Sequence, residues 1–239
     1  MIAEETGSDP VLRYAYKGLW SMPIFAFLLG VGTITHQPPP QTELGEWARY
    51  VTTGIFLFDH LVASIGGAML GALGAVAFGV TLSRRGSVRL ALWGLLTGVS
   101  ANVLLSSIFG VAAFAQPAIG RFYLAGHVEL AQGLYYDAAQ GTPMVICALL
   151  GVLLLTTSIV VFGVAVTRLP GLPRLAGVGF AVSAPLFAVV GFALDNWVQT
   201  VAAALMLVSA TWIVISLRRG QVAQPELDQP AVLAAERRL

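Results

Sequence analysis

The sequence has little charge, one cysteine and one lysine. Only 10% of its 239 residues are charged, whereas a soluble domain usually carries about 25%. A chain so poor in charge must expose apolar surface, and lipid is the ordinary reason for such a surface. The hydrophobic share of 57% and the mean hydropathy of +0.81 agree with this. These values predict an integral membrane protein.

The absences also exclude several kinds of site. Because Cys147 is the only cysteine, the chain forms no intrachain disulfide and no cysteine-based zinc site. The net charge of +1 argues against a nucleic-acid partner. No G-x-S-x-G, P-loop or H-E-x-x-H motif is present in the sequence. Lys17 precedes the first apolar run, so no lysine is placed for a retinal Schiff base.

Six long apolar stretches dominate what remains. A helix rising ~1.5 Å per residue needs about 20 apolar residues to cross a hydrocarbon core ~30 Å thick. We therefore expect an all-α integral membrane protein, a bundle of six transmembrane helices within residues 19–217. The spans cover residues 19–35, 51–82, 90–115, 143–167, 175–194 and 197–217. We expect residues 1–18 to be a cytoplasmic or interfacial segment, and residues 218–239 to be a disordered cytoplasmic tail.

The first span is the weakest of the six, because it is short and contains Pro23. A cleaved signal peptide is the alternative interpretation of this segment. No A-x-A-like cleavage site precedes the three prolines at 38–40. We therefore expect the first span to be a retained anchor.

Basic residues fall at alternate breaks between the spans. One side of the predicted topology holds Arg13, Lys17, Arg84, Arg85, Arg89, Arg168, Arg174, Arg218, Arg219, Arg237 and Arg238. The other side holds only Arg49 and Arg121. The positive-inside rule then predicts that both termini are cytoplasmic. The preference for arginine over lysine, with abundant alanine, glycine and valine, is typical of a GC-rich bacterial genome. We therefore expect the membrane to be a bacterial cytoplasmic membrane.

Small residues recur every four positions in the second and third spans. The second span has Ala63, Gly67, Gly71, Ala75 and Gly79, and the third has Gly94, Gly98, Asn102, Ser106 and Gly110. Residues four apart share one helix face, and a helical glycine costs ~0.5–1 kcal/mol relative to alanine. Close approach of helix backbones in lipid compensates for that cost and so explains the glycines. We expect the two stripes to face each other or other helices nearby.

Asn102 is predicted to lie near the middle of the bilayer. Its amide needs a partner there, and the carbonyls beside Gly67 or Gly71 are the natural candidates. An amide that holds two helices together is the simpler interpretation, since polar residues often do this in membranes. A role in a substrate path is the alternative.

Ionisable residues indicate where a site could lie. All three histidines fall on the external side of the predicted topology, and Asp59 continues the small-residue stripe, so it points at the bundle. The candidate ligand- or ion-binding residues are His36, Asp59, His60, Asn102, His127, Glu129 and Asp195. Three interpretations stay open: polar residues that cap helices at the interface, an outward-facing polar vestibule for a small molecule, ion or proton, and a metal or haem site.

The metal or haem interpretation uses His36, His60 and His127, and its spacing is unconvincing. Asp59 and His60 are adjacent, so on a helix their side chains diverge by ~100°. No pair of histidines stands at positions i and i+4. The sequence therefore identifies no cofactor.

Two functions from different classes follow from these residues. We expect a non-enzymatic protein that handles a small molecule or ion, or an accessory subunit, with the lipid bilayer as its surroundings. A homo-oligomer or a larger membrane complex stays open. The alternative is a membrane-embedded enzyme or metal- or haem-binding protein that acts on a lipid-soluble substrate near the outer leaflet, using Asp59, His60 and His127.

Overall fold

The computed structural model describes residues 9–35, 43–191 and 196–222, and these residues are helical apart from short connections. His36, Asp195 and residues 223–239 of the predicted tail lie outside the described residues. Six helices within the described ranges are long and apolar enough to cross a membrane. By helix length and hydropathy the chain is a multi-pass membrane protein.

The described residues form eleven α-helices, numbered in chain order. They are α1 (Pro10–Gly18), α2 (Ser21–Thr35), α3 (Leu44–Val51), α4 (Gly54–Asp59), α5 (Gly67–Arg84), α6 (Val88–Gly110), α7 (Gln116–Leu124), α8 (Val128–Leu134), α9 (Thr142–Arg168), α10 (Arg174–Pro185) and α11 (Asn196–Val222). Four π-helical segments continue α4, α6, α8 and α10: His60–Gly66, Val111–Ala115, Tyr135–Ala139 and Leu186–Gly191. The final helix extends five residues beyond the predicted end at Leu217 and so includes the start of the predicted tail.

The six long helices form a closed ring. Helices α2, α5, α6, α9, α10 and α11 each pack against the next one along the chain, and α11 packs against α2. Since consecutive members lie side by side, their connections alternate between two ends of the ring. The end that carries α1 and the α5–α6 and α9–α10 turns is called the basic end. The opposite end, which carries α3, α7 and α8, is called the acidic end.

Charge differs sharply between the two ends. Among the described residues, the acidic end holds Glu43, Glu46, Asp59, Glu129 and Asp137 with Arg49 and Arg121. The basic end holds one carboxylate, Asp9, with nine cationic side chains: Arg13, Lys17, Arg84, Arg85, Arg89, Arg168, Arg174, Arg218 and Arg219. The arginine alternation in the sequence is therefore a real separation of charge along the ring axis.

Apolar side chains fill the ring toward the basic end. Phe78 of α5 meets Phe162 of α9 with ring centroids 5.7 Å apart, and Phe180 of α10 at 5.9 Å. Leu82 and Leu217 are fully buried in the same cluster. Interior packing of this kind leaves little space between the helices there, because protein cores are close-packed.

Two arginines tie the basic end together. Arg85 Nη2 donates to the Tyr16 hydroxyl at 3.2 Å and to the Leu217 carbonyl oxygen at 3.0 Å. Arg84 forms an ion pair with Asp9 at 2.9 Å. In the sequence both arginines indicate only topology, whereas in the structure they join α1 and α11 to the end of α5.

A second, smaller cluster covers the acidic end. Trp47 of α3 and Tyr135 meet edge to face, with ring centroids 4.7 Å apart, and Ile119 of α7 and Phe56 of α4 are buried in the same cluster. Helix α3 crosses close to α7 because Gly120 has no side chain; a Cβ built there would lie 2.9 Å from the Ala48 carbonyl oxygen. This layer of α3, α7, α8 and residues 135–139 is called the cap.

Proline positions coincide with changes in helical hydrogen bonding. The sequence predicts that Gln116–Pro117 ends the third helix, and this is wrong, because α7 continues directly from Val111–Ala115. Pro185 likewise ends α10 just where Leu186–Gly191 begins. A proline lacks an N–H and its ring collides with the preceding turn of an α-helix. A wider π turn beside the proline lets the helix continue past it.

Candidate functional site

The amide of Asn102 lies in the contact between α5 and α6. The side chain is 2% exposed, and its Nδ2 donates to the Gly98 carbonyl oxygen of its own helix at 2.8 Å. That differs from the expected partner, a carbonyl beside Gly67 or Gly71. The carbonyl four residues earlier is within reach without any displacement of α5, because residues four apart lie on one helix face.

The other amide atom of Asn102 explains the glycine opposite it. A Cβ built at Gly71 would lie 2.5 Å from Asn102 Oδ1, so only a glycine fits there. Oδ1 is buried and accepts no hydrogen bond from the described residues. It faces the bare Cα of Gly71, whose Cα–H is a weak donor. The arrangement fits an amide that packs two helices together.

The small-residue stripes meet more than one neighbour. Gly79 lies against Leu95, in the α5–α6 contact, and Gly98 lies against Ala75 and Ser158. Gly94 faces Phe162 of α9, and Gly67 faces Leu28 of α2. Each stripe therefore serves two interfaces, which follows from the position of α5 and α6 as neighbours in a ring.

Gly110 does not pack against another helix as expected, because a Cβ built there meets nothing within 4 Å.

An interhelical hydrogen bond that the sequence does not reveal stabilises α6 near its other end. Ser158 Oγ of α9 donates to the Gly94 carbonyl oxygen at 2.7 Å. Its signal in the sequence is slight, since one serine among many in apolar spans does not reveal its partner.

Asp59 and His60 are both buried, at 5% and 6% exposure. Asp59 ends α4 and His60 begins the π-helical segment His60–Gly66. They share a buried face with Phe56 and Ala63, and the segment that follows packs against α2, α5 and α6. The ~100° divergence of neighbouring side chains does not expose either one, because protein surrounds this turn on several sides.

The imidazole of His60 has a defined orientation. Its Nδ1 lies 2.9 Å from the Phe56 carbonyl oxygen, and its ring centroid is 4.1 Å from that of Phe56. A carbonyl oxygen only accepts, so Nδ1 carries a hydrogen in this contact. In the neutral ring, Nε2 is then the nitrogen that carries the lone pair.

His127 and Glu129 lie elsewhere, on the exposed surface of the cap. The His127 ring contacts Phe122 at a centroid distance of 6.2 Å, and Glu129 stands in the first turn of α8, where a carboxylate interacts favourably with the helix dipole. The predicted rim is therefore divided into a buried pair, Asp59 and His60, and an exposed pair. The other two members, His36 and Asp195, lie outside the described residues.

Within residues 9–35, 43–191 and 196–222, no group of three or more histidine, cysteine, aspartate or glutamate side chains is placed to hold a metal ion. Thus the structure does not bring His60 and His127 together in such a group.

A hydroxyl pair joins two further spans. Thr33 Oγ1 of α2 lies 2.9 Å from Thr200 Oγ1 of α11, and Thr33 donates to the Gly30 carbonyl oxygen at 2.8 Å. In the pair either hydroxyl could be the donor. Sequence reasoning missed this contact, because nothing in either span indicates that α2 and α11 are neighbours.

No protein-family model, curated protein or solved structure matches this chain. The chemistry of the candidate site therefore follows from its own residues. Asp59 and His60 are adjacent in the sequence and both are removed from solvent, which makes them the candidate residues of this site.

Proposed function

We propose that this chain is a non-enzymatic membrane protein that binds and transfers a proton or a small cation at Asp59 and His60. The observation that carries the proposal is the burial of both side chains on one face of a membrane-spanning helix. Ionisable residues within such helices are rare, face the interior of a bundle and mark ion or proton pathways. A purely structural capping role would leave them at the surface, as it does Glu129.

The charge of the pair limits the ligand. Asp59 contributes at most one negative charge, and His60 is neutral or carries one positive charge. With an ionised carboxylate and a neutral imidazole the two side chains together carry one negative charge, which a proton or a monovalent cation balances. A buried site with one negative charge favours a monovalent ligand over a divalent one for the same reason.

Irregular helix geometry near the pair supports a binding role. The π-helical segments His60–Gly66, Val111–Ala115 and Tyr135–Ala139 follow one another in space, since the second contacts both of the others. Such segments occur as single turns within α-helices and are frequent at functional sites. Two of these segments lie beneath the cap and the third belongs to it, and a local change of hydrogen bonding there would alter access to Asp59.

The separation of charge supports an orientation for the bundle. We place the basic end in the cytoplasm, because cytoplasmic loops carry an excess of arginine and lysine, and we assign the chain to a bacterial cytoplasmic membrane. Asp59 and His60 then lie toward the outer face, beneath the cap. A ligand would reach them from outside, while the apolar cluster around Phe78 closes the path on the cytoplasmic side in this conformation, so transfer would require these helices to separate.

Ion flux into sealed vesicles tests the proposal. The purified chain is reconstituted into vesicles that contain a pH-sensitive dye or, in a parallel set, a sodium-sensitive dye, and an inward gradient is applied. We expect wild-type vesicles to admit one of the two ions faster than protein-free vesicles. Asp59→Asn removes the negative charge at nearly constant volume, so it should reduce the flux to the protein-free level.

Glu129→Gln is the matched control, because it removes one carboxylate at the same end from an exposed position; flux should be unchanged. Equal flux in wild-type and Asp59→Asn vesicles, or no flux above the protein-free level for either ion, would refute the proposal. A Soret band or stoichiometric metal in the purified protein, lost in His60→Ala, would favour the enzyme or metal- and haem-binding alternative instead.

A further inference from the structure

Helix α1 has two distinct faces. Leu12, Tyr16 and Leu19 follow the spacing of one helix face, and they pack into the apolar cluster of the ring. Gly18 brings α1 close to α5, where a Cβ built on the glycine would lie 3.2 Å from the Ala77 Cβ. The helix is therefore fixed against the bundle, and the face that points away from the bundle is held in place.

The outward face of α1 groups two cations around an aromatic ring. Arg13 and Lys17 are exposed and four residues apart. The Arg13 guanidinium carbon and the Lys17 Nζ each lie 5.6 Å from the centroid of the Tyr14 ring. Tyr14 is 64% exposed and Val11 is 55% exposed. Apolar and cationic groups thus stand side by side, as in helices that lie at a membrane surface.

Charge on neighbouring elements reinforces this face. Asp9, the one described carboxylate at the basic end, is paired with Arg84 and accepts a hydrogen bond from the Val11 amide at 3.0 Å. Among the described residues, Asp9 forms no ion pair with Arg13 or Lys17. The surrounding turns add further exposed cations, with Arg89 and Arg174 among them.

We propose that α1 binds the headgroup of an anionic phospholipid, with Arg13 and Lys17 at the phosphate and Tyr14 and Val11 against the glycerol and upper acyl region. A phosphate group can bind both cations, because the Tyr14 ring keeps them close together. Tyrosine has an apolar ring and a polar hydroxyl, and such side chains are enriched in the headgroup layer. Each basic residue close to an anionic leaflet adds to the affinity of a protein for anionic lipid. This inference is independent of the site at Asp59 and His60.

Lipid retention measured by native mass spectrometry tests this inference. The full chain is released from zwitterionic micelles that contain phosphatidylglycerol or phosphatidylcholine. We expect wild type to retain phosphatidylglycerol preferentially. Arg13→Gln with Lys17→Gln should weaken retention about fivefold for each cation, and so about 25-fold together. Both side chains are exposed, so circular dichroism should show an unchanged helical content.

The matched control is Arg49→Gln with Arg121→Gln, which removes two exposed cations from the acidic end; retention of phosphatidylglycerol should stay at the wild-type level. Tyr14→Leu keeps both cations and an apolar side chain, and it should retain most of the lipid. Equal retention of the two lipids by wild type would overturn the inference, as would an equal loss in both double variants. Displacement by millimolar glycerol phosphate would show a free-phosphate site and would also overturn it.

Discussion

Burial separates side chains that have similar chemistry in this protein. Asp59 and His60 are enclosed by α2, α5, α6 and the cap, whereas Glu129 and His127 stand on the outside of the same end. A buried carboxylate loses the solvation that stabilises its charge, and it retains that charge only with compensating partners. Position within the bundle, and not residue type, therefore distinguishes the residues that could bind an ion from those that meet solvent and headgroups.

Glycine positions show the same dependence on surroundings, and a matched pair of substitutions tests it. Gly71→Val would drive a side chain into Asn102 and force α5 from α6, because a Cβ at Gly71 already lies 2.5 Å from Oδ1. We expect the free energy of unfolding to fall by about 1–3 kcal/mol, the range for an overpacked core. Thermal unfolding in detergent measures the change.

Gly110→Val is the control for that substitution, since it adds the same atoms where nothing lies within 4 Å. Its effect should stay within about 0.5 kcal/mol. If both variants lost equal stability, the loss would not depend on the contact with Asn102, and that contact would not account for the glycine at position 71.

At the scale of helices, neighbours along the chain are also neighbours in the ring, and a few polar contacts fix how they meet. Ser158 joins α9 to α6, and Thr200 joins α11 to α2. Interhelical hydrogen bonds in membranes average about 0.6 kcal/mol, so they direct the packing more than they stabilise it. Close backbone approach at glycine supplies the remaining contact through dispersion.

Arg85 is expected to hold α1 and the end of α11 to the bundle. Arg85→Gln removes donors to the Tyr16 hydroxyl and the Leu217 carbonyl oxygen. Loss of one charged hydrogen bond of about 1.5 kcal/mol should raise amide hydrogen exchange in α1 about tenfold. Exchange within α6 and α9 should stay as in wild type.

Arg89→Gln serves as the control. Arg89 is exposed and lies four residues after Arg85, at the start of α6, and the change removes the same charge. Exchange in α1 should then match wild type. Faster exchange throughout the protein in Arg85→Gln would mean global destabilisation and would contradict a local role for this arginine.

For the whole molecule, hydropathy was sufficient to predict six apolar helices, because a span must be long and apolar whatever it packs against. The ring order was not predictable from the same property. Each span carries apolar residues on all of its faces, so no face of α2 indicates that α11 lies beside it. Likewise, the π-helical segments have no local signal except the nearby Pro117 and Pro185, and a proline in an apolar span indicates a break or kink in an α-helix and not a π-helical turn.

The candidate site was predictable only in part, for a related reason. The small-residue stripe correctly pointed Asp59 at the bundle, since a face that permits close packing is also the buried face. The partner of Asn102 and the separation of His60 from His127 depend on tertiary contacts, which cannot be predicted from the spacing of residue types along the sequence. The cap over the acidic end depends on α3 meeting α7, which are far apart in the sequence.

Sided thiol labelling tests most directly whether the chain spans the membrane with the cap and the basic turns at opposite faces. In a Cys147→Ala background, His127→Cys and Arg89→Cys place one thiol at each end, and His60→Cys places one beneath the cap. Sealed cells are exposed to an impermeant maleimide before and after permeabilisation. We predict that position 127 reacts in sealed cells, that position 89 reacts only after permeabilisation, and that position 60 reacts far more slowly than either. Reaction of positions 127 and 89 from the same side would contradict the six-span ring.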